Sequence, residues 1–353
     1  MAKITKTNFG TLSNGSTVYL YTLKNTSGSS AGIITYGARV QSFCVPDAAD
    51  NLQDIVLGFD SAADYERETY YMGAIVGRHA NRIQDAKITL SGTEYQLEAN
   101  DGVEKTNSLH SGSSGFHCQL WGAEIRDGRL VMNYFSPDGD GGFPGSLTVQ
   151  AVYELTEDNA LKISYRASSD ADTICNMTNH SYFNLNGNDG SDILSHRLQL
   201  FADRLTEADA ESLPNGTIYE AAGTPMDFQQ LTPIGKRIDD DFHQLNWGCG
   251  YDHNWILGDN KENQLRRAAY AESPETGITL TVYTDLPGIQ FYSGNFLDGA
   301  KGKKGTIYQK RGGFCLETQY YPNSPAHPEF PQPLLKKGEI WQSGTVFLAG
   351  TIK

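Results

Sequence analysis

The chain has 353 residues and carries 28 Lys+Arg against 42 Asp+Glu, a formal net charge of −14 at pH 7 that argues against nucleic acid as a partner. With 39% hydrophobic, 11% aromatic and only 20% charged residues, a mainly disordered chain is excluded. No apolar run approaches the roughly 18 residues of a membrane span, so no membrane partner is expected.

The opening segment MAKITKTNFG lacks the apolar core of a secretory signal. Cys44, Cys118, Cys175, Cys249 and Cys315 are odd in number, far apart and without a CxxC pair. Both features fit reduced thiols and a cytoplasmic location better than a disulfide frame or a zinc knuckle.

In chain order, a short helical piece is expected near Ala62 to Glu66. Ile88 and Leu90, a Ser91-Gly92 turn, then Tyr95 and Leu97 predict a hairpin. Leu147, Val149, Ala151, Tyr153 and Leu155 alternate with polar residues, and the period of two resumes at Leu161, Ile163 and Tyr165, which predicts a second hairpin. A further helical piece is expected from Pro233 to Asp239, and the polar stretch Asp259 to Gly277 is read as a protruding hairpin or loop. Ile278, Leu280 and Val282 then lead through Pro287-Gly288 into Ile289 and Phe291. No repeat or linker divides the chain. The expectation is all-β, a single large antiparallel β-sandwich domain over residues 1–353, with loops gathered over one concave face.

Several chemical motifs fail on inspection. Asp138-Gly139-Asp140-Gly141-Gly142 resembles a calcium loop, but Gly142 and Val149 stand where an oxygen ligand and a bidentate Glu are needed, so a tight turn is expected. Gly299, Gly302 and Gly305, interleaved with Lys301, Lys303 and Lys304, lack Walker spacing and read as a solvated basic loop. No histidine pair has zinc spacing, so no metal site is expected.

Polar residues set in apolar or Asn-rich segments remain. In NMTNHSYFNLNG, His180 and Tyr182 are two apart and share a face if the segment is extended; His180 then faces a site or is a buried histidine satisfied by a neighbour. In GGFCLETQ the apolar run ends directly on Glu317, a carboxylate in a partly buried wall that must be paired, hydrogen-bonded or raised in pKa. In YDHNW, Asp252 and His253 point to opposite strand faces, and Asp252 is the one placed on the site because a carboxylate can accept two sugar hydroxyls. Arg78, Asn81 and Arg82 in GRHANR, His110 in NSLHSG and Gln290 complete a polar set suited to a neutral polyol.

These segments together resemble the aldose 1-epimerase (mutarotase) family. The resemblance runs from about Phe9 to Phe347, through DIVLGFDSAADY, GRHANRI, NSLHSG, GFPG, NMTNHSYFNLNG, YDHNWIL, GIQFYSGNFL and GGFCLETQYYPNSP in order. It implies a β-supersandwich without a cofactor, acting on a small sugar as a monomer or homodimer. It further implies His180 as general acid, Glu317 as general base, and Asn81, Arg82, His110, Asp252 and Gln290 as sugar contacts, with Tyr182 beside the substrate. Two residues depart from the family pattern: Ser111 replaces the first Gly of a Leu-His-Gly-Gly turn, and His117 replaces the Asp after Gly-Phe.

The chemistry so implied is removal of the anomeric hydroxyl proton while the ring oxygen is protonated, followed by ring opening, rotation about C1–C2 and reclosure. Attraction between Glu317 and His180 is expected to lower the carboxylate pKa and raise that of the histidine. Three rivals share some of these residues. A carbohydrate-binding module needs no facing acid and base, a glycoside hydrolase would use Asp252 and Glu317 as paired carboxylates, and a hexose-6-phosphate epimerase needs an Arg/Lys cluster beside the cleft.

Overall fold

Alternation of buried and exposed side chains governs most of the architecture. The strand Leu147–Leu155 buries every second residue, with Leu147, Val149, Ala151, Tyr153 and Leu155 all inside. It pairs antiparallel with Ala160–Ser169, as the sequence predicts. A computed structural model describes residues 2–258 and 264–352. Three large antiparallel sheets carry the chain, of five, nine and six strands.

The five-stranded sheet holds the N-terminal strands from Lys3–Thr11 to Leu52–Asp54 in sequence order. The nine-stranded sheet runs from Gly122–Arg126 through Ala160–Ser169, Ile340–Thr351 and Ile278–Thr284 to Thr232–Pro233. The six-stranded sheet orders Tyr182–Phe183, Phe314–Gln319, Gly288–Tyr292, Asp252–Ile256, Arg204–Ala208 and Pro214–Glu220. One hydrophobic cluster draws on all three, including Ile33 and Phe43, Val149 and Phe347, and Trp255, Phe291 and Leu316. Burying each such large side chain contributes about 1.5–3 kcal/mol. The nine- and six-stranded sheets meet directly where the Phe183 and Phe347 rings lie 5.0 Å apart and the Thr318 and Thr345 hydroxyls share a 2.5 Å hydrogen bond.

The hairpin Lys87–Leu90 and Thr93–Gln96 closes on Ser91 (φ 48°) and Gly92 (φ 82°), two consecutive left-handed residues whose twist matches that of the strands. The helix Ala62–Arg67 begins where Ser61 accepts a hydrogen bond from the Asp64 amide. Asp140–Gly142 is a tight turn, as expected.

Other segments depart from the sequence expectations. Ile278–Thr284 and Gly288–Tyr292 both form strands, but the Pro287-Gly288 turn carries the chain from the nine-stranded to the six-stranded sheet and does not pair them. Only Ile234–Lys236 turns helically within Pro233 to Asp239, while the helix His243–Gly248 gave no amphipathic signal because it is so short. Of the polar stretch Asp259 to Gly277, residues 259–263 lie outside the described residues; Arg266–Glu272 is not a protruding element but a strand within the large sheet. Lys303 is buried, not solvated: its Nζ donates to Asp54 Oδ2 at 2.6 Å and to the carbonyls of Gln41 and Val56. Among the described residues no helix is long and apolar enough to cross a membrane.

Candidate functional site

One face of the six-stranded sheet is apolar and packed; the other opens into a cleft. The period of two assigns each residue. Phe291, Phe314 and Leu316 point into the main core, while Tyr182, Tyr292 and Glu317 line the cleft. The strand Asp252–Ile256 obeys the same rule: Asp252 lines the cleft, and His253 turns away with its Nδ1 accepting the Asp252 amide. Gln290 lies opposite Glu317 in register, buried beneath the cleft surface.

Two short pairings bring loop residues over this face. Ile75–Val76 pairs with Thr178–Asn179, next to His180, and Arg82–Ile83 pairs with Ser108–Leu109, next to His110. His180 is clamped through its backbone, accepting from the Gly73 amide and donating to the Ala74 carbonyl. Gly73 sits at φ 70°, and a Cβ there would lie 2.1 Å from the Val40 carbonyl, so no other residue fits. The cleft is about 350 Å³, and its polar lining includes Asn81, Arg82, Asp101, His110, His180, Asp252 and Glu317.

At the base of the cleft, His180 Nε2 lies 3.8 Å from Glu317 Oε1, and both side chains are almost wholly buried. Among the described residues, Glu317 Oε2 has no hydrogen-bond partner. Burial first, and then the Asp252 carboxylate, raises the Glu317 pKa well above the usual carboxylate range. Burial also lowers His180 to about 4, with the Arg39 charge acting in the same sense. The expectation that mutual attraction would dominate is therefore overturned: at this separation the loss of solvation outweighs it. Asp252 is likewise raised by burial, opposed by Arg82 and by its hydrogen bond from Gln290.

His110 Nδ1 accepts the Asn81 backbone N–H at 3.0 Å, which leaves the ring proton on Nε2. Burial holds His110 neutral, so it is a fixed donor rather than an acid–base group. His110, His180 and Glu317 place potential ligand atoms within 4.8 Å of one another, a cluster invisible in sequence spacing. That cluster does not suit a resident metal ion, because His110 has Nδ1 engaged as an acceptor and Nε2 protonated, and offers no lone pair.

The chain matches the family described as Aldose 1-epimerase over residues 19–348. It is 40% identical to the galactose mutarotase of Sus scrofa over 350 residues, 99% of each chain, and 37% identical to the aldose 1-epimerase of Escherichia coli K12 over 95% of this chain and 96% of that one. Its fold superposes on galactose 1-epimerase from Lactobacillus acidophilus with a TM-score of 0.85, at 27% identity and full coverage of both chains. The chain belongs to the aldose 1-epimerase family. It is an epimerase, a β-rich mutarotase that exchanges the anomers of a sugar.

In this epimerase, Asn81, Arg82, His110, His180, Tyr182, Asp252 and Glu317 all line one cleft. Gln290 is not among the lining side chains; it is buried on the neighbouring strand, and its Nε2 donates to Asp252 Oδ1. Arg78 is also apart, buried and bonded to Ser136 and the carbonyls of Pro137 and Pro144. Ser111 adopts a left-handed conformation at φ 67°, one that a glycine would take without strain. Its hydroxyl accepts the His79 amide at 2.8 Å, tying the His110 loop to the GRHANR segment.

Sequence reasoning missed Tyr71, Asp101, Tyr292 and Phe296, which also line the cleft. Tyr71 sits at φ 58°, with its ring 4.6 Å from His110, 4.7 Å from His117 and 5.8 Å from His180. Only its place in the aromatic run Tyr70-Tyr71 hinted at it. Asp101 carries a more legible signal, a carboxylate for Arg82, whose Nε it accepts at 2.8 Å.

Proposed function

We propose that anomer exchange runs on Glu317 and His180, with free aldohexoses such as galactose and glucose as substrates. The observation that carries this reading is the 3.8 Å approach of two buried titratable groups at the base of a polar cleft. In opening, Glu317 takes the proton of the anomeric hydroxyl as His180 gives one to the ring oxygen, and the C1–ring oxygen bond breaks. The open aldehyde turns about C1–C2. Closure on the other face returns both protons in reverse, so the pair holds one proton throughout and needs no co-reactant.

Burial favours the tautomer with that proton on Glu317, which is the state left after opening. The cyclic sugar then has to be met by the costlier charged tautomer, and hydrogen bonds from the sugar compensate for part of that cost. Asp252 accepts sugar hydroxyls, His110 Nε2–H and the Asn81 amide donate, and Arg82, held by Asp101, anchors the far side. Tyr182 packs beside the substrate, and Gln290 acts through Asp252. Asn81 Oδ1 is taken by the Arg82 amide, so its NH2 is the part left for a ligand.

Arg82 is the one cationic side chain other than histidine lining the cleft among the described residues, and Asp101 is its partner. This favours a neutral sugar over a sugar phosphate. The continuous hydrophobic cluster supports treating residues 1–353 as one domain, and the five free cysteines support a cytoplasmic setting. Polarimetry of freshly dissolved α-galactose and α-glucose tests the reading. Both rotations should relax faster with the protein than in buffer; unaltered relaxation for both overturns it.

A further inference from the structure

Arg39 lies outside the cleft lining, with only 1% of its side chain exposed. Its NH1 donates to Glu68 Oε1 at 2.6 Å and to the Met72 carbonyl at 2.9 Å, and its NH2 donates to the His117 carbonyl at 3.0 Å. The other Glu68 oxygen accepts the Tyr70 amide. One buried ion pair therefore fastens both segments that build the ring wall, Thr69 to Met72 with Tyr71 and the turn with His117. The next peptide after Met72 supplies the Gly73 amide that holds the His180 carbonyl.

We propose that Arg39 is a positioning residue of the catalytic site: paired with Glu68, it fixes the Tyr71 and His117 wall and places a permanent positive charge at the Met72 carbonyl, the other end of the peptide whose Gly73 amide holds His180. The inference rests on His180 being the proton donor. His180 is faced by Glu317 at Nε2, by Cys315 Sγ at Nδ1, and by the rings of Tyr71, Tyr182, Tyr292 and His110. None of these is a permanent cation, whereas the guanidinium is always charged and its two terminal nitrogens reach a carboxylate and two carbonyls at once in a way that a lysine ammonium cannot. Burial is the larger cause of the lowered His180, and the guanidinium charge acts in the same sense.

Two variants separate charge from geometry. Arg39→Lys keeps the charge and loses the fork, so kcat should fall about ten- to a hundredfold while the His180 titration stays where it is. Arg39→Met with Glu68→Leu removes both charges without leaving a buried carboxylate unpaired. In that double variant the His180 imidazole, followed by proton NMR in the sugar-free protein, should titrate at higher pH than in the unaltered chain. An unchanged His180 titration in a folded double variant overturns the charge role, and full kcat in Arg39→Lys overturns the positional one. Failure of the catalytic reading shows separately, as full activity in His180→Asn.

Discussion

Gln290 donates its Nε2–H to Asp252 Oδ1 at 2.7 Å, from a buried position on the neighbouring strand. Asp252 thereby has one oxygen fixed from the neighbouring strand and presents the carboxylate to the cleft in a set orientation. Asp252→Asn should weaken sugar binding by about 1.5–3 kcal/mol, the range for a hydrogen bond to a charged group. Gln290→Leu should move KM in the same direction by less, and the double variant should fall short of the sum because both act through one group. An unchanged KM in Asp252→Asn, with the loss confined to kcat, would show that Asp252 takes part in proton transfer.

The pH–rate profile follows from the directions at the pair. The working state holds one proton between Glu317 and His180. On the acid side kcat/KM should fall as His180 takes a second proton, near its lowered value of about 4. On the alkaline side it should fall as the last proton leaves, at a pH set by the raised Glu317 and hence above the ordinary carboxylate range. Asp252→Asn removes a like charge that raises Glu317, so its alkaline limb should move to lower pH. A limb that moves up, or stays, contradicts the assignment.

Stability should also depend on pH through the buried histidines. His79, His117 and His253 are lowered to about 3, and His196, like His180, to about 4, each mainly by burial. Below the unfolded value of about 6.5 the unfolded chain binds protons that the folded chain refuses, so stability is present above that pH and is lost as pH falls towards 4. Each such histidine contributes up to about 1.36 kcal/mol per pH unit in that window. Calorimetry should show Tm dropping steeply from about pH 6.5 to 4.5; a flat Tm over that interval contradicts the burial account.

Dialysis against a chelator should leave the rate of anomer exchange intact, because the His110 ring is committed as donor and acceptor and cannot serve as a ligand. Activity lost on chelation and restored by one divalent ion would overturn this prediction.

The elements legible in the sequence are those set by local alternation. The strand faces of Leu147 to Leu155, and the placing of Asp252 and His253 on opposite faces, follow from period two; which of the two faces the cleft is read from carboxylate chemistry, and the Ser91-Gly92 hairpin turn follows from its residue types. What stayed hidden depends on contacts distant in sequence. Lys303 reads as a surface lysine until Asp54 is placed against it, and Arg39 gives no sign of Glu68 or of the Tyr71 wall. Gln290 is expected from sequence as a sugar contact; its hydrogen bond to Asp252 from the neighbouring strand is a relationship that needs strand register. The pKa directions at Glu317 and His180 reversed because sequence shows the two charges but not how completely the fold removes water from them.

The most direct test of the account is Glu317→Gln, which keeps the shape of the side chain and removes its ability to take a proton. Polarimetric kcat should fall about 10²- to 10⁴-fold, equivalent to roughly 2.7–5.4 kcal/mol of barrier, with sugar affinity changed far less. If the folded variant exchanges anomers at close to the original rate, Glu317 is a structural carboxylate and the acid–base mechanism is wrong.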